Sequence, residues 1–153
     1  MKSKLLTLID RCNPLVIALL KSPFHWLLSY GLMAITFTGR NSGKQFTTPV
    51  GYHRFDDAII VMVSAAYRRQ WWRNYRELGV IDICLKGQWI CTTAEVLAPR
   101  SHEFKQRAEA CFQRARFIPR IFGVDYDAVQ GLSETQIDAL ANYAVIVKIK
   151  LGE

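Results

Sequence analysis

The sequence predicts an α+β fold that is mainly β, with six mostly antiparallel strands curled into a small barrel and helices at its margins. Three observations carry this expectation. From Ala34 onward, β-rich runs are separated by short glycine- and charge-bearing segments of hairpin type. Helical signals are confined to the N-terminal arm, to one segment between the hairpins and to residues 100–142. The 153 residues contain no internal repeat, linker or low-complexity tract, and this length suits one domain. Six strands closed on themselves hide their apolar faces and leave no sheet edge; an open sheet covered by the helices is the alternative. We read 1–153 as a single domain comprising a helical arm (1–33), barrel hairpins with a glycine-rich turn (34–97), and helices followed by the last strand (98–153).

The arm begins MKSKLLTLIDRCNPLVIALLKSPFHWLLSYGL. Residues 3–10 and 14–21 read as short helices, the second with Asn13 as N-cap and Pro14 at the first helical position, where its missing N–H costs nothing. Asp10, Arg11 and Lys21 break the apolar residues into blocks too short for a membrane span or a signal peptide. The expected location is therefore the cytoplasm, with residues 1–30 apolar enough to touch a membrane or a second subunit. SPFHWLLSYGL, ending at Gly31, has little polar face and is expected to be buried in the fold or in a dimer interface, with His25 and Trp26 as packing groups.

AITFT, FTTPVGYHR and AIIVMVS then read as three antiparallel strands separated by GRNSGKQ and FDD. Trp71, Asn74 and Tyr75 at i, i+3 and i+4 predict a helix, closed by Gly79. A second hairpin pairs VIDICL with QWICTTAEVL across Lys86-Gly87, and Ile81, Ile83 and Leu85 alternate with polar Asp82 and Lys86. Pro99 and Ser101 introduce a helix to Arg116, and IPRIFGVDYDAVQG follows as loop or short helix. Ser133 with Gln136 forms a capping box for a helix to Asn142, and YAVIVKIKL is the sixth strand.

Half the residues are apolar, and eight Phe, six Tyr and four Trp supply aromatic surface suited to flat rings. The formal charge is +7, concentrated between Gly39 and Arg76, where seven basic residues face only Asp56 and Asp57, a net of +5. Such a bias suits nucleic acid, an anionic membrane or a phosphorylated small molecule. The arginines gather around one turn and one helix instead of forming an aromatic-interleaved stripe along a sheet face, so nucleic acid is not the expected partner. Cys12, Cys84, Cys91 and Cys111 form no C-x-x-C pair and have no histidine at zinc-ligand spacing; they read as reduced and buried, with no metal site.

Within TFTGRNSGKQFTTPV, the core GRNSGK is not a nucleoside-triphosphate loop, because only three residues separate its glycines and Gln45 follows the lysine. It is still suited to an anion. Glycines let the backbone approach a ligand, turn N–H groups converge, Arg40 and Lys44 add charge-assisted hydrogen bonds, and Ser42, Thr47 and Thr48 offer hydroxyls. A solvated hairpin turn is the plainer reading. YRRQWWRNYRE then places Trp71 to cover a flat ring and Asn74 one turn on to hydrogen-bond it, unless Trp71, Trp72 and Tyr75 are core anchors.

TFTGRNSGKQFTTPVGY, IIVMVS and WWRNY together resemble the deazaflavin-dependent nitroreductase family, within the flavin and deazaflavin oxidoreductases of split β-barrel fold. The likeness covers residues 13–97 and, by position, the last strand. It implies a split barrel, often dimeric, holding deazaflavin (coenzyme F-420) or FMN. Carried over residue by residue, Arg40, Ser42, Lys44, Thr48 and Pro49 fall on the phosphate side, Ser64 at the strand end near the ring, and Trp71 and Asn74 at the helix start; Asn41 and Thr47, within the same stretch, complete the expected cofactor-binding set. The sequence departs from the family where a second basic residue is Asn41 and a later arginine is Phe46; Arg68, Arg69 and Arg73 are candidate replacements.

In such a protein the cofactor delivers a hydride to an electron-poor small molecule such as a quinone or nitro compound, while the chain orients the ring and excludes water. No catalytic residue stands out. Tyr52, His53, Ser64, Tyr67 and Tyr75 are candidates to contact substrate or donate a proton, Tyr52 and Tyr67 foremost as substrate contacts, although a tyrosine or histidine on a barrel strand is more often structural. The rival function is a non-catalytic ligand-binding barrel.

Overall fold

The computed structural model describes residues 13–152, so the expected helix 3–10 and Cys12 lie outside the described residues. Residues 13–21 are helical (α1), followed by a 3-10 turn at His25–Leu27. Seven strands follow: β1 Leu32–Thr38, β2 Gln45–Gly51, β3 His53–Arg54, β4 Ala58–Val63, β5 Gly79–Leu85, β6 Gln88–Val96 and β7 Val145–Lys150. The helices after β6 are α2 His102–Phe112, α3 Phe117–Ile121 and α4 Glu134–Tyr143. The strand order is β2-β1-β5-β6-β7-β4-β3. Of the described residues, one compact unit takes those up to Tyr52 together with Val80–Thr92, and another takes His53–Gly79 and those from Thr93 onward.

One expected strand is two, which raises the count from six to seven. The run 46–54 breaks at Tyr52, whose backbone N–H donates to the Gly31 carbonyl (3.1 Å) and whose hydroxyl donates to the Ser29 carbonyl (2.5 Å). These bonds end the β1–β2 ladder. β2 pairs with β1 from Leu32↔Gly51 to Thr38↔Gln45, whereas β3 pairs with β4 through His53↔Ile60 and Arg54↔Ile59. Pro49 fits β2 because an edge strand does not need every N–H.

In the first unit Leu20 of α1, Ala34 of β1 and Cys84 of β5 form a small core, with Val16, Leu28 and Leu32 packed against it. Much of the 24–30 segment stays outside that core. Phe24, Trp26 and Leu27 are exposed and Tyr30 is 98% exposed, so burial within the chain, expected from their apolar character, does not hold. His25 does pack, with Nδ1 3.1 Å from the Ser29 hydroxyl and its ring against Gly87.

The second unit has the larger core. Phe104, Ala108, Cys111 and Phe112 on α2 lie at i, i+4, i+7 and i+8, the stripe that buries one helix face, and meet Ala58, Ile60, Ile137, Leu140 and Ile146. Ser101 caps α2 by accepting the Phe104 N–H (3.1 Å), and the Ser133–Gln136 capping box forms as expected at α4. Arg107 of α2 grips Asp57 with two hydrogen bonds and approaches Glu103, which Lys148 of β7 reaches at 2.8 Å. Arg107 and Arg114 both lie over Phe55, fastening α2 to the β3–β4 turn.

Candidate functional site

In the first unit, the β1–β2 turn is shaped by its two glycines for different reasons. A side chain at Gly39 would strike the Ser42 hydroxyl at 2.7 Å and the Phe46 ring at 2.8 Å, whereas Gly43 has open space but a φ of +66°. The turn closes on itself: Gly39 N–H donates to the Lys44 carbonyl (2.7 Å), Gly43 N–H to the Gly39 carbonyl (2.9 Å), and Lys44 N–H to the Ser42 hydroxyl (3.3 Å). Three amides expected to face an anion are therefore spent inside the turn. The Arg40 and Lys44 side chains are exposed, and neither has a partner among the described residues. Asn41 and Ser42 are exposed beside them.

Beyond the turn, Thr47 shares a 2.8 Å hydroxyl contact with Thr36 directly across the ladder, and Thr48 and Pro49 are half-buried opposite Ile35 and Ala34. Phe46, where the family resemblance implied a cation, stacks on Phe37 with ring centroids 5.8 Å apart. Tyr52 is buried at 8% exposure with its hydroxyl proton committed to Ser29, so its role is to latch the chain where β2 ends.

The remaining expected residues belong to the second unit. Ser64 is half-buried after β4, and Ala65 beside it adopts left-handed backbone (φ 47°, ψ 49°) at the entrance to a 3-10 turn, Ala66–Arg68. Trp71–Tyr75 is a five-residue 3-10 segment where an α-helix was expected. The segment runs between Gln70 and Arg76, and β5 begins three residues after Arg76, at Gly79. Trp71 is buried (6%) edge-on to Tyr75 (2%), with ring centroids 6.2 Å apart, so it is a core anchor and presents no open platform.

Trp72 is the residue that sequence reasoning undervalued. Its Nε1–H donates to the Ala66 carbonyl (2.9 Å), and the Arg73 and Arg76 guanidinium groups lie 5.6 and 5.4 Å from its ring centroid. The signal was an arginine at the next position and another four residues on. Beside this clamp, Arg73 Nε and Asn74 Oδ1 are buried without a hydrogen-bond partner among the described residues. Tyr67 is 66% exposed, and Arg68 is exposed with it.

The titratable groups narrow the chemistry. Burial, reinforced by the Arg114 charge, holds His53 below its ordinary value of 6.5, so it is neutral near pH 7 and a poor proton donor. Cys111 is pushed up to about 12 by burial in the second core, and Cys91 is raised chiefly by a hydrogen bond to Asp82. Cys91 is exposed, contrary to the expectation of burial, but both thiols stay protonated and unreactive. Cys84 is buried, its S–H directed to the Leu20 carbonyl at 3.8 Å, and it is not bridged to Cys91. No group of residues among those described could hold a metal ion, and no helix among them is long and apolar enough to cross a membrane.

A family described as F420H(2)-dependent quinone reductase matches residues 26–120, well over half of the chain. No curated protein matches. Among solved structures, the heme storage protein HutZ from Vibrio cholerae aligns at a TM-score of 0.53 with 11% identity, covering 87% of this chain and 91% of HutZ. A second structure, described as a domain-swapped dimer, aligns at a TM-score of 0.52 with 13% identity, covering 84% of this chain and all of its own. At such identities the likeness speaks for the fold, which is the split β-barrel expected from the turn and strand motifs.

Proposed function

The chain belongs to the F420H(2)-dependent quinone reductase family, and we propose from this that it is an oxidoreductase that uses a deazaflavin, coenzyme F-420, to reduce a quinone. The observation that carries this reading is the orphaned Asn74 Oδ1 beside the equally orphaned Arg73 Nε. Burying such a group unpaired costs about 1–3 kcal/mol. A bound ring that brings an N–H to Asn74 and a carbonyl to Arg73 removes that cost. In the first unit, taken by itself, Arg40 and Lys44 are exposed with no side-chain partner among the described residues, and with the Ser42 hydroxyl they are groups of the kind that suit a phosphate. Each unit thus carries donors and acceptors of the chemical kind the cofactor needs.

When bound, the reduced deazaflavin supplies a hydride, which together with one proton converts a quinone to its hydroquinone. The chain's part is to hold and to orient. Tyr67, exposed and close in sequence to Ser64, is the tyrosine available to substrate; Tyr52, with its hydroxyl engaged, is not assigned that role. FMN is the rival cofactor and a nitro compound the rival substrate. We place the protein in the cytoplasm as a homodimer, with Phe24, Trp26, Leu27 and Tyr30 covered by a second copy. Sedimentation with anionic liposomes, before and after deletion of residues 1–30, tests membrane contact by the same arm.

The deciding experiment adds oxidised deazaflavin and FMN separately to purified protein, follows fluorescence, and then mixes the protein with reduced deazaflavin and menadione. Deazaflavin binding with menadione-dependent oxidation is expected. Binding of FMN alone would transfer the reading to a flavin reductase. Failure of both would favour a non-catalytic ligand-binding barrel, for which the specific observation is Phe46, a ring lying against Gly39 where the resembling family carries a cation.

A further inference from the structure

A cavity of about 770 Å³ lies wholly within the second unit, between the end of α2, α3 and the loop 124–130. Its lining includes neither the glycine turn nor any residue of the 64–76 segment. The volume falls inside the range of roughly 300–1,000 Å³ typical of small-molecule sites.

Phe112 and Tyr126 meet edge to face there, with ring centroids 5.4 Å apart, giving an aromatic wall. Gln113 donates its amide to the Tyr126 hydroxyl (3.2 Å), which leaves the phenolic proton for another acceptor. Arg116 and Arg120 also line the cavity, and neither has an ion pair or hydrogen-bonded side chain among the described residues. Asp125 and Asp127 contribute acceptors from the loop.

The loop is held rigidly. Gln136 of α4 donates to the Asp125 carbonyl (2.6 Å), Asp127 Oδ1 accepts the Val129 N–H (2.8 Å), and Glu109 of α2 accepts the Leu132 N–H (2.7 Å). Such bracing means little ordering is needed on binding. Two unpaired guanidinium groups, an aromatic wall, a phenolic donor and carboxylate acceptors describe a ligand with a flat ring, an anionic group and a donor group on the ring.

We propose that this cavity is a second binding site, independent of the redox reading, for a small aromatic carboxylate bearing a hydroxyl or amine. Arg116 and Arg120 take the carboxylate, the ring lies against Phe112 and Tyr126, and the loop carboxylates accept from the ring substituent.

The test titrates full-length protein with 4-hydroxybenzoate by ligand-observed NMR and calorimetry, using 4-hydroxybenzamide as the uncharged control. Saturable sub-millimolar binding is expected, with a loss of about tenfold or more for the benzamide and for R116Q/R120Q, as two charge-assisted contacts disappear. Arg40→Ala should bind the acid like the wild type, and R116Q/R120Q should bind deazaflavin like the wild type. Absence of saturable binding would overturn the proposal, as would equal affinity for acid and amide or an undiminished affinity in R116Q/R120Q. Both arginines are exposed, so the double variant should melt as the wild type does; if it fails to fold, the acid-against-amide comparison decides alone.

Discussion

The turn at 39–44 and the segment at 64–76 are both basic and both hold candidate cofactor-binding residues, yet they are built in opposite ways. The turn spends its polar backbone on itself and leaves its cations in solvent, while the segment buries its aromatics and leaves two buried polar atoms without partners among the described residues. One region satisfies its own backbone and holds its charge in solvent. The other buries two polar atoms that lack a partner among the described residues. Charge can therefore be removed from the turn without cost to folding, whereas on the proposed reading the segment couples folding and binding.

The largest effect should come from the segment's anchor. Trp71→Ala removes a buried indole that packs on Tyr75, at a cost of about 3–5 kcal/mol in urea denaturation. A loss below about 1 kcal/mol would mean that Trp71 is poorly packed, as a ring-covering residue is, and would erase the contrast between the regions.

Next in size is the turn. Arg40→Ala with Lys44→Ala should leave the melting temperature unchanged, because both side chains are exposed and unpartnered, but should weaken deazaflavin binding about a hundredfold by removing two charge-assisted contacts. Fluorescence titration measures it. Unchanged affinity would show that the anion lies elsewhere, with Arg68 and Arg69 as the first alternatives.

A smaller effect separates folding from binding at Asn74. Asn74→Ala deletes an orphaned acceptor, so stability should hold or rise slightly while cofactor affinity falls about tenfold. A clear loss of stability would mean that Oδ1 has a partner in the free protein, such as an ordered water, and is not waiting for a ligand.

These regions also differ in how far the sequence could be read. The turn was legible because its information is local: Gly39 and Gly43, the flanking β-rich runs and the unpaired charges are all set by neighbours in sequence. Ser101 and the Ser133–Gln136 box were legible for the same reason. The segment was not, since the i, i+3, i+4 spacing of Trp71, Asn74 and Tyr75 fits a 3-10 turn as well as one turn of α-helix, and nothing local decides between them. Tyr52 misled as well. A tyrosine in a β-rich run reads as part of the strand, and nothing local reveals that its bonds to Ser29 and Gly31 will break that strand in two. Arg116 and Arg120 fell where the sequence showed only a helix end and a loop or short helix, and the cavity they line depends on a loop braced by Glu109 and Gln136 from two other helices.

The smallest expected effects compare the two regions at one backbone conformation. Gly43 in the turn and Ala65 in the segment both lie in the left-handed region, at φ +66° and 47°. For an L-residue that conformation costs about 1–2 kcal/mol, partly offset by the 0.5–1 kcal/mol by which glycine's flexible unfolded chain disfavours folding. Gly43→Ala therefore loses somewhat under about 1 kcal/mol, and nothing within 4 Å of the new Cβ adds a clash. Ala65→Gly gains a similar amount, so the two substitutions move the urea midpoint in opposite directions. Their binding effects should differ more. The turn's proposed ligand contacts are side chains that tolerate a small backbone shift, but Ala65 sets the path from Ser64 towards Trp72 and Asn74, and freeing it should loosen the Arg73–Asn74 pair. A stabilised Ala65→Gly protein that binds deazaflavin less well would show backbone strain at 65 holding the segment ready; equal or tighter binding would assign that strain to packing alone.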